Sequence, residues 1–384
     1  MIVFPAAQPF GISCPTSIHF GTGRARDLPA LVGQEATRIL LVQGGSGLAA
    51  QPVLAALRGA GHDVSIISCP GEPDLDGVNA ALSKMDGPTH VIACGGGAVL
   101  DMGKALAALG EHGVDLPEDF DRLPPLTARR TIRLIAVPTT AGTGAEVTAN
   151  AVIDVPSKRA KISIRGPALV PDIAVVDPAL AQSAPAAVTL ASGLDAVTQV
   201  IESYTSSAAT PFTSALCRPV IPLGLRALRC VTDAPDDAAW SDMCWTSLSS
   251  GIALANSGLG AAHGLASILG AQLGAAHGAL CGRLLLPTLR TNRAHAVTGS
   301  EARTRIDHCI SEIEAAFPSS PGAEPLSGFG TWMNGKGLPG LSALGLKGDR
   351  ITELADLGRA ASSSRKNAVD LPSTAYAKIL QDAL

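Results

Sequence analysis

Aromatic residues are scarce: Phe, Tyr and Trp make up 3% of the 384-residue chain. Its core must therefore be built from Ala, Val, Leu and Ile, and hydrophobic residues at 46% are ample for one. Charge is sparse too, at 16%, below the usual quarter or so of globular chains. The balance is slightly acidic, −4 with the histidines neutral, and no Lys/Arg-rich run occurs. That excludes the basic surface a nucleic acid or an anionic membrane needs. Gly and Pro, 41 and 27 residues, fall short of low-complexity levels, so a disordered chain is excluded as well. The eight cysteines (14, 69, 94, 217, 230, 244, 281 and 309) form no C-x-x-C and no paired spacing, which predicts a reduced, cytoplasmic protein rather than a disulfide scaffold. The opening residues, MIVFPAAQPFGISCP, lack a basic n-region and carry two early prolines, and do not read as a signal peptide. Long apolar runs are also lacking. The one extended uncharged stretch, Met243 to Leu280, holds His263 and His277 and reads as a buried helix pair of a soluble protein.

The length predicts two or three domains, and no internal repeat is present. In the first half, short apolar runs alternate with helical periodicity. Arg38–Gln43, Asp63–Ser68, Thr89–Cys94, Thr131–Val137 and Asp172–Val176 read as strands. Leu48–Gly61, Asp76–Met85 and Ala98–Leu109 read as helices between them. Such alternation predicts a parallel sheet covered on both faces. Val147–Val155 and Ala160–Arg165 read as a hairpin appended to it, and Asp121–Arg130, with Pro124-Pro125, as a loop. After Asp177-Pro178 strand-like runs become scarce and Ala/Leu-rich helical segments take over: Leu190–Thr205, Ser241–Leu254, Gly260–Gly270, Glu301–Phe317 and Asp349–Ala361. The fold class is thus α/β followed by all-α. The boundary falls near Ser183-Ala184-Pro185, giving domains over 1–183 and 184–384.

Three constellations carry chemistry. Gly95-Gly96-Gly97-Ala98 lies where a strand ends and a helix begins, where backbone N–H groups and the helix N-terminus suit a phosphate. It is neither a G-x-G-x-x-G fingerprint, position 100 being Leu, nor a Walker A loop, Gly103-Lys104 being followed by Ala105. A tight strand–helix turn alone would use the same glycines. A second loop, Pro138-Thr139-Thr140-Ala141-Gly142-Thr143-Gly144-Ala145-Glu146, follows another strand and offers three hydroxyls. Two polar Gly-rich loops at strand ends point to a nucleotide. In the helical half, Asp195, Gln199 and Glu202 are spaced i, i+4, i+7 on one helix face. Asp195 near a helix start also fits dipole compensation. His263 and His277, fourteen residues apart, would be about 21 Å apart on an unbroken helix. Gly270 and Gly274 offer a place to turn and bring them together. Two imidazoles and a carboxylate are a common ligand set for Zn²⁺ or non-haem Fe²⁺.

The order Gly-Gly-Gly-Ala-Val-Leu-Asp-Met-Gly-Lys (95–104), Pro-Thr-Thr-Ala-Gly-Thr-Gly-Ala-Glu-Val-Thr (138–148), Asp195, His263 and His277 resembles the iron-containing (group III) alcohol dehydrogenases. Ile18-His19-Phe20-Gly21-Thr22-Gly23 and Lys161 before Pro171-Asp172 are similar too. The resemblance implies an N-terminal Rossmann-like nucleotide-binding domain, a C-terminal helical-bundle metal domain, and a cleft between them. It implies that Gly95, Gly96, Gly97 and Ala98 take the pyrophosphate of NAD or NADP. Thr139, Thr140, Thr143 and Thr148 would line the rest, with Lys161 near the nicotinamide ribose. Asp101 and Lys104 match the motif as well, and read equally as a first-turn acid and a solvated helix lysine. The metal ligands implied are Asp195, His263 and His277, with Gln199 where the family usually has a further His. Ser267 stands at the family's other His, so that Ser267, a water or the ribose hydroxyls would have to serve in proton delivery. The second strand ends in Gln43-Gly44-Gly45-Ser46 rather than in an Asp, which admits NADP(H).

The reaction implied is hydride transfer between nicotinamide and a small alcohol, aldehyde or ketone, assisted by Fe²⁺ or Zn²⁺, in a cytoplasmic homodimer with no nucleic-acid or membrane partner. Two relatives by architecture remain open. A maleylacetate-reductase type would need a cationic anchor, for which Arg218, Arg283 and Arg293 are available. A dehydroquinate-synthase-like lyase would need several basic residues around the histidines, where the chain is almost wholly apolar. A non-catalytic descendant is the third alternative, suggested by the missing histidines.

Overall fold

The computed structural model describes residues 9–15, 17–110, 115–120, 126–127, 130–158 and 160–384. These form two compact units, Ser13–Pro185 and Ala186–Leu384, the latter together with the segment ending at Ile12. Most of the expected Asp121–Arg130 loop lies outside the described residues. Its last member, Arg130, ties Asp172 and the Val170 carbonyl together.

The first unit is built on six strands: β1 (Ser17–Phe20), β2 (Arg38–Gly44), β3 (Asp63–Cys69), β4 (His90–Gly95), β5 (Arg133–Pro138) and β8 (Ile173–Val176). They lie in the order β1-β8-β5-β4-β2-β3, and every pairing is parallel. Parallel pairing needs crossovers, supplied by helices α1 (Leu28–Val32), α2 (Gln51–Gly59), α3 (Leu75–Leu82) and α4 (Gly97–Leu109). Alternate strand residues feed opposite cores. Leu40, Val42, Val91 and Leu134 pack on one face with α4 side chains, while Ile39, Leu41, Ile92 and Ile135 pack on the other with Val53 and Leu57 of α2. Burial on both faces is why these strands read as unbroken apolar runs.

The hairpin is formed by β6 (Asn150–Val155) and β7 (Ala160–Arg165), antiparallel and in full register, but as a sheet of its own. Its docking is chemical rather than by sheet extension. Lys104 on α4 donates from Nζ to Thr148 Oγ1 at 2.8 Å and to the Asn150 carbonyl at 3.0 Å, and Asp101 accepts from Val152 N–H at 2.9 Å. Lys104 is therefore no solvated helix lysine, being 1% exposed. A buried ammonium survives only with such partners.

The second unit is helical: after the short α5 (Pro178–Ala181) closing the first unit come α6 (Ala186–Thr205), α7 (Pro211–Asp233), α8 (Asp237–Ser257), α9 (Ala261–Leu273), α10 (His277–His295), α11 (Glu301–Ala316), α12 (Ser327–Gly335), α13 (Ile351–Ala360) and α14 (Ser373–Asp382). The apolar faces of α9, α10, α13 and α14 share one core that includes Leu265, Leu284, Leu354 and Ile379. The buried helix pair expected over Met243–Leu280 is most of α8 with all of α9, and the stretch runs on into the first turn of α10, so His277 belongs to a third helix. The turn between the two histidines is made by Gly274, left-handed at φ 62°, whereas Gly270 is inside α9 and its carbonyl caps the turn. Among the described residues no single helix is long and apolar enough to cross a membrane.

Candidate functional site

In the helical unit the chemistry converges from three helices. Asp195 projects from the middle of α6, His263 from the first turn of α9 and His277 opens α10. The imidazole rings stand 5.6 Å apart between centroids. Asp195 Oδ1 is 3.3 Å from His263 Nε2 and 3.9 Å from His277 Nε2. This approach requires α10 to touch α6 backbone to backbone. Gly278 allows it, because a Cβ there would fall 2.1 Å from the Ala191 carbonyl oxygen.

Cys281, one turn after His277, adds a fourth donor. Its Sγ lies 3.5 Å from His277 Nε2, and the donor atoms of Asp195, His263, His277 and Cys281 are all within 4.8 Å of one another. The sequence reading missed it, although its i+4 spacing from His277 was legible on a helix.

Glu202, two turns after Asp195 on the same face of α6, organises the start of α9. Its carboxylate accepts from the backbone N–H groups of Gly260 at 3.0 Å, Ala262 at 2.7 Å and His263 at 3.3 Å, while Asn367 Oδ1 accepts from Ala261 at 3.1 Å. A helix N-terminus leaves these donors without internal partners, so a buried acid here serves the helix directly. The same carboxylate accepts from His263 Nδ1 at 2.7 Å. This bond puts a ring proton on Nδ1 and makes Nε2 the nitrogen that faces Asp195 and is offered to an ion.

A metal ion fits this set on the structure's own terms. Asp195 Oδ1 and His263 Nε2 are both buried, and neither finds an aligned hydrogen-bond partner. Leaving such atoms unsatisfied typically costs about 1–3 kcal/mol each, a penalty a shared cation removes. The electrostatics agree. Burial opposes charge on both rings, yet the nearby Cys281 and Asp195 raise His277 to about 9 and His263 well above its usual value. Burial likewise opposes ionisation of Asp195, but the two imidazoles hold its carboxyl below the usual range. The pocket favours positive charge at its centre.

Gln199 is buried beside Asp195 on α6, and its Nε2 donates to Ser250 Oγ at 2.8 Å. Ser267 lies one turn beyond His263 and donates to the Gly264 carbonyl at 2.9 Å. Of the three arginines available to anchor a carboxylated substrate, two are occupied. Arg283 donates to Pro339, Asn334 and Leu338, and Arg293 pairs with Asp307 at 2.6 Å.

In the sheet unit, Gln43 on β2, Cys94 on β4 and Val137 on β5 stand in one row of the register. Three loops leave the carboxyl edge at that level. The chain runs outward from β2 to β3 and returns to β4 on the other side of β2, so β2 and β4 flank a topological switch point, where open α/β sheets bind ligands. Gly95 ends β4, Gly96 caps α4 and Gly97 is its first residue, followed by Ala98. Gly97 lies close against the threonine loop, and a Cβ there would come 2.9 Å from Thr143 Cγ2, so that Thr143 would have to shift. Thr139 N–H donates to the Gly95 carbonyl at 2.9 Å, joining the threonine loop to the glycine loop, and Thr140 faces Gly96. Thr148 is turned inward to Lys104, and Lys161 on β7 pairs with Glu72 at 2.5 Å.

Known proteins carry the same plan. The description "Iron-containing alcohol dehydrogenase" matches residues 15–178, and "Fe-containing alcohol dehydrogenase family, C-terminal" matches residues 189–384. The probable alcohol dehydrogenase EutG of Escherichia coli is 38% identical over 60% of the chain and 58% of its own length. An NADPH-dependent butanol dehydrogenase of Clostridium saccharobutylicum is 31% identical over 69% of each. Among solved structures, an iron-containing alcohol dehydrogenase from Thermococcus thioreducens superposes with a TM-score of 0.81 at 25% identity, covering 98% of this chain and 99% of that one.

Proposed function

The chain belongs to the iron-containing alcohol dehydrogenase family, and from that premise we propose that it interconverts a small alcohol and its aldehyde or ketone with NAD(P) and a divalent metal. The observation that carries this reading is the convergence of Asp195, His263 and His277 from three helices, with two facing donor atoms buried and without an aligned hydrogen bond. A divalent ion held there, when bound, supplies Lewis-acid polarisation of the substrate oxygen. The protein's own residues do the rest. Glu202 fixes the His263 tautomer so that Nε2 points inward. Gly95, Gly96, Gly97 and Ala98 offer the α4 N-terminus to the pyrophosphate, while Thr139, Thr140 and Thr143 supply hydroxyls on the neighbouring loop and Thr148, its hydroxyl taken by Lys104, anchors that loop to α4. Gln199 adds a neutral amide to the metal pocket. Ser267, on the same helix as His263, is assigned to proton delivery, and Lys161 to the ribose.

The units divide the work, with the dinucleotide assigned to residues 13–185 and the ion to 186–384. Gln43, the last side chain of β2, is no carboxylate to repel a 2′-phosphate, so NADPH is admitted beside NADH. A reducing, cytoplasmic setting is supported by eight free cysteines, and a homodimer by the family relationship.

The test is oxidation of NADH and NADPH with short aldehydes and ketones, using chelator-stripped protein re-supplied anaerobically with Fe²⁺, Zn²⁺ or nothing. Turnover should return with metal and fall sharply in Asp195→Ala and His277→Ala. Turnover indifferent to metal overturns the reading.

A further inference from the structure

We propose that Cys281 is a metal ligand, so that this chain holds its ion with an Asp–His–His–Cys set whose thiolate selects Zn²⁺ over Fe²⁺. The inference rests on the reading above only for the presence of an ion. Its first support is distance. A tetrahedral ion with bonds of about 2.0–2.3 Å holds its donors about 3.3–3.8 Å apart. The separations found are 3.3 Å from Asp195 to His263, 3.5 Å from His277 to Cys281 and 3.9 Å from Asp195 to His277. These are three of the six edges of such a tetrahedron, matched within a few tenths of an ångström, and the remaining donor pairs lie within 4.8 Å, a distance that closing on an ion would shorten.

The second support is position. Cys281 is fully buried, and it follows His277 by one helical turn, so α10 presents both donors to the same point. On α6, the place where the resemblance leads one to expect a further imidazole holds Gln199, whose amide nitrogen is engaged by Ser250. The fourth strong donor has moved from α6 to α10. The third support is charge and softness. Asp195 and a Cys281 thiolate together neutralise a divalent ion in a buried pocket, and mixed sulfur, nitrogen and oxygen donors suit Zn²⁺. On entry of the ion the thiol proton leaves to solvent, and the contact between Cys281 and His277 gives way to two bonds to one centre. His277, its side chain 37% exposed against 4% for Asp195 and His263, marks the side from which the ion is reached.

Cobalt substitution tests the ligand without reference to turnover. The stripped full-length protein loaded with Co²⁺ should show the near-ultraviolet thiolate-to-cobalt charge-transfer band, and Cys281→Ser should lose it while keeping visible ligand-field bands. X-ray absorption of the Zn²⁺-loaded wild type should find one sulfur at about 2.3 Å beside shorter nitrogen and oxygen bonds, a measurement that needs no variant to fold. In anaerobic competition the Zn²⁺-over-Fe²⁺ preference should fall at least tenfold in Cys281→Ala. A cobalt protein without the band, a band unchanged in Cys281→Ser, a zinc shell lacking sulfur, or failure to bind Co²⁺ or Zn²⁺ overturns the proposal. The band without alcohol or aldehyde turnover leaves Cys281 a ligand and removes the dehydrogenase reading. Metal-restored turnover without the band does the reverse.

Discussion

Glu202 and His263 are bound to each other twice, through the imidazole Nδ1 at 2.7 Å and through the His263 backbone N–H at 3.3 Å. One carboxylate therefore sets both where α9 begins and which ring nitrogen faces Asp195. Glu202→Gln keeps the size but turns an amide nitrogen toward a cluster of donors. It should weaken metal binding by about 10–100-fold, the usual effect of losing the partner that orients a metal-bound histidine. Competition against a chromophoric chelator measures it.

The contact between α6 and α10 is equally unforgiving. In Gly278→Ala the added methyl meets the Ala191 carbonyl, and the helices must separate. Overpacking of this kind costs about 1–3 kcal/mol, visible in chemical denaturation, and the same displacement should lower metal content. Gly330→Ala on α12, where the nearest atom to a Cβ is Leu286 Cδ1 at 3.7 Å, should change neither.

Gly96 separates ligand binding from folding. A Cβ there would meet only Thr140, at 3.4 Å, and its φ of −73° suits any residue. Gly96→Ala should fold with unchanged stability. Its methyl intrudes on the phosphate cradle, and KM for NAD(P)H should rise roughly tenfold with kcat little altered, the pattern of lost uniform binding.

Stability should carry a mark of the buried acid in the sheet unit. Burial raises Glu146 to about 7, with only partial relief from its own backbone hydrogen bond and from Lys104. Between its ordinary value near 4.5 and about 7 the folded chain keeps a proton that the unfolded chain has released. Stability consequently falls as pH rises through that window. Asp101, raised by burial to about 6, acts in the same direction. Glu146→Gln should lose less melting temperature than the wild type between pH 5 and pH 7, roughly the span in which the carboxyl gives up its proton. Equal losses would refute this origin.

The strands were legible because burial on both faces writes them as continuous apolar runs, and the two glycine-bearing loops stood out at their ends. The helical half was legible as a whole, but α7 and α10 carry internal prolines, Pro219 and Pro222 in one and Pro287 in the other, which blur their bounds in the sequence. Proline lacks the N–H of a helical bond, a strong local signal against helix. In α7 the residue is tolerated because Pro219 and the carbonyl-bearing Ala215 both face outward, where water takes the bond. The cluster of Asp195, His263 and His277 was legible, and Cys281 was missed although its i+4 spacing from His277 stood in the sequence, because a lone cysteine among eight carries no pattern of its own. Lys104 and Asp101 defeated pattern reading differently. Besides the Thr148 hydroxyl, their partners are the Asn150 carbonyl and the Val152 N–H, backbone atoms that no residue type advertises.

The bond from Thr139 N–H to the Gly95 carbonyl continues the β4–β5 ladder one rung past the last strand residue. The glycine turn and the threonine loop are thereby fastened to the most rigid part of the sheet. The dinucleotide proposed to bind at that edge would meet backbone donors whose disorder was removed when the chain folded. Its binding has little conformational entropy left to take from the protein.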